Sequence, residues 1–282
     1  MEAYKMTKLT DTFELNNGTK IPKVGFGTWQ IPAGKARQAV LDALSVGYRH
    51  VDTALVYGNE KQVGQGIRDS GIPRDQLFVT SKLPAESKSY EEALRDFETT
   101  FNNLNIEYLD LYLIHAPEPW RENGANYDAE NQDVWRAMEE IYHSGRVKAI
   151  GVSNFRVHDL QNILEVASVK PAIDQIQYYV GYNQPKVSAF GKQENILIEA
   201  YSPLATGGLL GNPVLTKMAA NYHVTLPQLA IQFVIQNGVL PLPKATSKEH
   251  IESNGQLDFE ISAADMVQLN AIQDTDARYH FM

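Results

Sequence analysis

Apolar positions along the chain fall into two alternating rhythms. Short runs rich in β-branched and aromatic residues read as buried strands. They cover 23–29 (KVGFGTW), 48–54 (YRHVDTA), 77–83 (LFVTSKL), 108–115 (YLDLYLIH), 147–154 (VKAIGVSN), 172–179 (AIDQIQYY), 196–204 (ILIEAYSPL) and 238–244 (GVLPLPK). Between them lie segments such as GKARQAVLDALSVG, YEEALRDFETTFNNL and NQDVWRAMEEIYHSG, whose apolar residues recur at helical spacing. Several of these stop at glycine, as a helix C-terminus does. Ahead of the first strand, TFELNNGTKIP predicts a β-hairpin that turns at Asn17-Gly18.

Strands that alternate with helices make a parallel sheet, either open and doubly wound or closed into a barrel. Eight units with no linker between them favour the closed (β/α)8 TIM barrel, with residues 1–282 as a single domain. The hairpin would then cap the bottom, N-terminal mouth of the barrel.

Composition narrows the function. The net charge of −9 argues against nucleic acid or an anionic membrane as partner. With no cysteine in the chain, disulfides, thiolate nucleophiles and cysteine-bound zinc are excluded. The seven histidines are scattered and form no H-E-x-x-H pair, so no catalytic metal is expected. The N-terminus carries no apolar leader, and no run approaches the length of a membrane span, which makes the cytoplasm the expected location. A G-x-G-x-x-G turn is also missing: Gly25 and Gly27 are followed by Gln30, and Gly207-Gly208 with Gly211 comes late in the chain. Any nicotinamide cofactor must therefore be held in another way.

In such a barrel the chemistry sits at the C-terminal ends of the strands. Those ends carry Asp52, Lys82, His115, Ser153-Asn154, Gln175 and Tyr201-Ser202, and Tyr57 lies one short turn beyond Asp52. A tyrosine hydroxyl is a reluctant proton donor at neutral pH; a neighbouring lysine cation stabilises its phenolate, and an aspartate keeps that lysine charged. Histidine can hydrogen-bond a carbonyl oxygen and orient it. Together they describe a general acid aimed at a ketone or aldehyde. With no nucleophile or metal in the set, the reducing equivalent must come from a cofactor.

The stretches YRHVDTALVYGNEKQVG, TSKL, LDLYLIH, KAIGVSNF, PAIDQIQY and EAYSPLA resemble, in order, the signatures of the aldo-keto reductase family, and bacterial diketo-gluconate reductases in particular. The resemblance implies an eight-stranded barrel and NAD(P)H-dependent reduction of aldehydes and ketones. It makes Asp52, Tyr57, Lys82 and His115 the catalytic tetrad, with Tyr57 the proton donor. Ser153, Asn154 and Gln175 would hold the nicotinamide carboxamide and Tyr201 would stack on its ring. Thr28 would join the cofactor contacts, and Ser202, Pro203 and Leu204 would follow the pyrophosphate. LPKATSKEHIESN resembles the stretch that grips the 2′-phosphate, through Lys244, Thr246, Ser247, His250 and Asn254.

Two departures from the family pattern matter. His250 stands where many members have arginine, and Ser253 replaces a common glutamate. A mostly neutral imidazole cannot offer arginine's permanent fork, so NADPH is the expected cofactor with NADH as a weaker or dual one. Pro84 and Ala116 stand where tryptophans are common, which widens the substrate site unless Trp120 replaces one wall; Trp29 is the other pocket tryptophan. Trp135 falls within a helical pattern and reads as core. Small aldehydes, α-dicarbonyls or keto-sugars are the expected substrates of a monomeric enzyme. Alcohol oxidation and a non-catalytic cofactor sensor are the alternatives.

Overall fold

The computed structural model describes residues 8–122, 124–273 and 275. The hairpin forms as the turn chemistry predicts. Strand β1 (Thr12–Glu14) pairs antiparallel with β2 (Lys20–Pro22), and Gly18 supplies the left-handed turn at φ +82°.

Eight parallel strands follow: β3 (Phe26–Gly27), β4 (His50–Asp52), β5 (Phe78–Leu83), β6 (Leu111–Ile114), β7 (Ile150–Ser153), β8 (Ile173–Gln177), β9 (Leu197–Tyr201) and β10 (Leu240–Leu242). Each pairs with the next in sequence from β3 to β10. Backbone bonds from Gly25 N–H to the Pro241 carbonyl (3.0 Å) and from Gly27 N–H to the Pro243 carbonyl (3.1 Å) join the two ends. The barrel is therefore almost closed. Every strand is shorter than the apolar run that predicts it. Apolarity reports burial, which continues past the ladder into packed strand ends; ladder bonds stop where the chain bends away.

Helices cover the outside: α1 (Ala33–Ser45), α2 (Glu60–Asp69), α3 (Tyr90–Leu104), α4 (Asp128–His143), α5 (Val157–Leu164) and α6 (Pro185–Glu194) each follow one strand from β3 to β8. The seventh unit departs from this pattern, with α7 (Pro213–Asn221) and α8 (Leu226–Gln236) both lying between β9 and β10. Helices α9 (Lys248–Gly255) and α10 (Ala263–Ala271) complete the layer. Helix α3 is capped by Ser89, which accepts the Glu92 N–H, and ends in Asn105 at φ +48° rather than in glycine. Asparagine tolerates that conformation better than most side chains. No helix among the described residues is long and apolar enough to cross a membrane.

Period-2 alternation sorts the strand side chains into two cores. On β5, Val79 and Leu83 pack outward against the helices, with Trp135 deep in the same layer, while Phe78 packs inward. Leu111, Leu113, Ile173, Leu240 and Leu242 join Phe78 inside, and Leu15 and Ile21 of the hairpin plug this lower core. Burying a side chain of that size is worth ~1.5–3 kcal/mol. Asn16 Nδ2 and Asn17 Nδ2 donate to the Pro171 and Lys148 carbonyls, tying the hairpin to the segments that lead into β8 and β7. The hairpin thus seals the N-terminal mouth. Further along the same inward faces, apolar residues give way to His50, Asp52, Thr80, Lys82, Gln175 and Glu199, all buried.

Candidate active site

The polar layer is organised around Lys82. The alternation of β5 turns its side chain inward, and its ammonium donates to Asp52 Oδ1 (2.7 Å), Asp52 Oδ2 (2.8 Å) and the Thr53 carbonyl (2.9 Å). Asp52 ends β4 beside it. The chain then makes one 3-10 turn, Leu55–Tyr57, and Gly58 at φ +66° ends it. That turn brings the Tyr57 hydroxyl back to 3.4 Å from Lys82 Nζ. His115 follows β6, and its ring packs edge-on to Tyr57 with centroids 5.7 Å apart. The four side chains predicted to act together stand in one cluster.

Burial and charge set their states. Burial alone would strip the proton from Lys82, but the Asp52 carboxylate beside it raises its pKa above the ordinary value. The ammonium stays charged. Burial pushes the Tyr57 phenol up, and Lys82 pulls it back only in part. The lysine thus lowers the tyrosine, and burial raises it by more. Burial, then Lys82, hold His115 well below its usual value, so its imidazole is neutral. Its Nδ1 is buried without a hydrogen-bond partner.

A cavity of about 970 Å³ opens above the cluster, with Asp52, Tyr57 and His115 in its wall. Ser153, Asn154, Gln175 and Tyr201 line it next to them. These four are cross-linked. Ser153 Oγ donates to the Gln175 carbonyl (2.8 Å), Asn154 Nδ2 donates to the His115 carbonyl (2.9 Å), and the Tyr201 hydroxyl donates to Asn154 Oδ1 (2.8 Å). Gln175 Nε2 donates to Asp52 Oδ2 (2.9 Å), so its amide oxygen is the atom left over for a ligand. Ser202, Pro203 and Leu204 continue the wall after β9, with Ser202 at φ +50° and Thr206 at φ +54°. At the far end stand Lys244, Thr246, His250 and Asn254, the first three exposed. A nicotinamide dinucleotide fits this donor set: an amide pocket and an aromatic face at one end, hydroxyls and a cation at the other.

Three of the named residues lie elsewhere. Thr28 is fully buried, and its hydroxyl donates to the Asp52 carbonyl (2.9 Å); it braces that strand end and does not line the cavity. Ser247 serves as N-cap of α9, accepting the His250 N–H (3.3 Å). Lys82 sits beneath the wall, bonded to Asp52 and 3.4 Å from the hydroxyl of Tyr57, which both line it. Trp29 and Trp120 both line the cavity, and Trp120 packs edge-on to His115 with centroids 5.3 Å apart. The loop bearing Trp120 is pinned by Glu118, which accepts from Arg156 Nη2 (2.9 Å) and from the Gly124 N–H (3.2 Å). Sequence reasoning passed over Val56 and Leu210, exposed apolar side chains on the cavity wall. It also passed over Glu199, two residues before Tyr201 on the inward face of β9; period-2 counting from Tyr201 could have found it.

Comparison with known proteins agrees with this geometry. The model of the aldo/keto reductase family matches residues 23–274. A glyoxal reductase of Bacillus subtilis is 39% identical over 268 residues, covering 94% of each chain. A glycerol 2-dehydrogenase (NADP(+)) of Saccharomyces cerevisiae is 36% identical over 286 residues, covering 93% of this chain and 91% of the yeast protein. Among solved structures, an aldo-keto reductase of Bombyx mori in complex with NADP superimposes with a TM-score of 0.87 at 28% identity, covering 99% of this chain and 96% of that one.

Proposed function

The chain belongs to the aldo/keto reductase family of oxidoreductases, and on that premise we propose that it reduces small aldehydes, α-dicarbonyls or keto-sugars with NADPH, Tyr57 giving the proton. One observation carries the reading: Lys82 Nζ bridges the Asp52 carboxylate and the Tyr57 hydroxyl, with the neutral His115 alongside. The His115 imidazole donates a hydrogen bond to the substrate oxygen and turns it toward Tyr57. The Tyr57 O–H then protonates that oxygen as negative charge builds on it, and Lys82 stabilises the phenolate left behind. Asp52 keeps Lys82 cationic throughout. Ser153, Asn154 and Gln175 would hold the carboxamide, and Tyr201 would cover one ring face. The bound nicotinamide supplies the two-electron reducing equivalent.

The B. subtilis glyoxal reductase supports a dicarbonyl substrate. Trp29, Val56 and Trp120 give the cavity wall apolar surface, which favours uncharged substrates. The yeast glycerol dehydrogenase supports the reverse reaction as a second reading, because one tetrad serves both directions. Lys244, with Thr246, would hold the 2′-phosphate, and His250 in place of arginine leaves NADH as a weaker cofactor. The chain would act as a monomeric, single-domain protein of the cytoplasm.

The test follows oxidation of NADPH, and separately of NADH, against methylglyoxal, aromatic aldehydes and keto-sugars. Turnover of methylglyoxal with NADPH, faster than with NADH, is the expected result. Binding of NADPH without turnover of any carbonyl, in either direction, would sink the reductase reading in favour of a sensor.

A further inference from the structure

Beneath the tetrad lies a carboxyl that the reduction chemistry does not use. Glu199 has no exposed surface. Its Oε2 accepts a hydrogen bond from Gln175 Nε2 at 2.7 Å, the same nitrogen that donates to Asp52 Oδ2 at 2.9 Å. One amide group thus spans two buried carboxyls. Both of its N–H bonds are committed, which fixes its orientation and leaves its oxygen free on the cavity side.

The charges around this pair do not balance unless one carboxyl is neutral. From β5, Lys82 faces it and is committed to both oxygens of Asp52. From β4 come Asp52 itself and His50, whose Nε2 contacts Thr80 Oγ1 (3.0 Å) and stands 3.8 Å from Glu199 Oε1. Burial, then Lys82, lower the His50 pKa to about 3, so this approach is not an ion pair. On β10, apolar Leu240 pairs in register with Glu199. A second buried anion without a cation would cost several kcal/mol. Asp52 holds the only cation among these groups, so burial beside it favours the protonated form of Glu199. Burial, then Asp52, raise its pKa to about 8.

We infer that Glu199 is a further positioning residue of this site: its neutral carboxyl holds the Gln175 amide against Asp52 and so presents the amide oxygen to the cofactor carboxamide. The inference rests on the proposed use of a nicotinamide cofactor. It goes further in assigning the orientation of Gln175 to a residue that touches neither cofactor nor substrate. Ionisation of Glu199 strengthens its own bond from Gln175, but the larger repulsion from Asp52 works against the shared amide bridge and loosens it.

Direct titration of NADPH, read by quenching of tryptophan fluorescence, tests this without turnover. In Glu199→Leu the amide loses one acceptor, and the Kd should rise about tenfold, the worth of one net hydrogen bond. Glu199→Gln keeps a carbonyl acceptor and should restore the Kd to within about threefold of wild type near pH 7. Between about pH 7 and about pH 9 the wild-type Kd should rise while that of Glu199→Gln stays level, a difference that packing alone would not produce. Equal pH dependence in wild type and Glu199→Gln would overturn the role of Glu199 while leaving the reductase intact. So would a folded Glu199→Leu that binds like wild type. A wild-type protein that binds no NADPH would overturn both readings.

Discussion

Lys82 Nζ donates to both carboxylate oxygens of Asp52, at 2.7 and 2.8 Å, and to the Thr53 carbonyl at 2.9 Å, and it stands 3.4 Å from the Tyr57 hydroxyl. The strong pair is the support and the longer contact is the working one. Asp52→Asn keeps the shape but leaves a buried ammonium without its anion, which costs ~3–5 kcal/mol. The expected outcome is a lower urea midpoint together with a fall in carbonyl turnover. An unchanged midpoint would mean that Lys82 finds another partner or gives up its proton cheaply.

Tyr57→Phe removes the O–H while keeping the ring that packs on His115. General acid catalysis is worth ~10²–10⁴-fold, so turnover should fall by that factor. Titration of NADPH should change little, because the hydroxyl is not among the groups that fit the cofactor. Wild-type turnover in this variant would remove Tyr57 from the role of acid.

His250→Arg should strengthen discrimination between the two cofactors. His250 is exposed at the end of the cavity with Lys244, so a planar guanidinium can be added there at little structural cost. A charge-assisted hydrogen bond to phosphate is worth ~1.5–3 kcal/mol. The ratio of kcat/KM with NADPH to that with NADH should therefore rise about tenfold or more. A constant ratio would place the 2′-phosphate elsewhere.

Trp120 packs edge-on to His115 and lines the cavity. Trp120→Ala should open the pocket and shift preference toward bulky aromatic aldehydes. Even one methylene in a pocket changes kcat/KM by ~10–200-fold, and this substitution removes a whole indole ring. The check is the ratio of kcat/KM for an aromatic aldehyde to that for methylglyoxal, and an unchanged ratio would show that Trp120 does not shape the substrate site.

His50 gives a pH prediction. Its folded pKa of about 3 lies below the ordinary value of 6.5, because burial and then Lys82 disfavour the imidazolium. The folded protein resists a proton that the unfolded chain accepts. The stabilising contribution is therefore complete above about pH 6.5 and is lost as pH falls toward about pH 3. His50→Gln should lose less stability than wild type on acidification across that window, measured as urea midpoints at a series of pH values. Parallel curves would show that His50 does not drive the acid response.

All eight barrel strands and the hairpin were legible because burial imposes periodicity on neighbouring residues, a local property of the chain. The strand ends were legible for the same reason, so Asp52, Lys82 and His115 could be placed at one mouth before any distance was known. What the alternation could not supply was length or pairing. The ladders are short, and the closure from Gly25 to Pro241 joins residues more than two hundred positions apart. Nor could it tell Thr28, which braces the Asp52 carbonyl, from a residue that lines the cavity.

The sequence by itself determined the rhythm of strand and helix, the inward face of each strand and the chemical types gathered at the C-terminal mouth. Only the tertiary structure decided which charges meet. Whether Glu199 is an anion or an acid depends on Asp52, Lys82 and His50, which come from strands far away in sequence. Coulomb energy and desolvation depend on distance and burial in space, and neither is written in the order of residues along the chain.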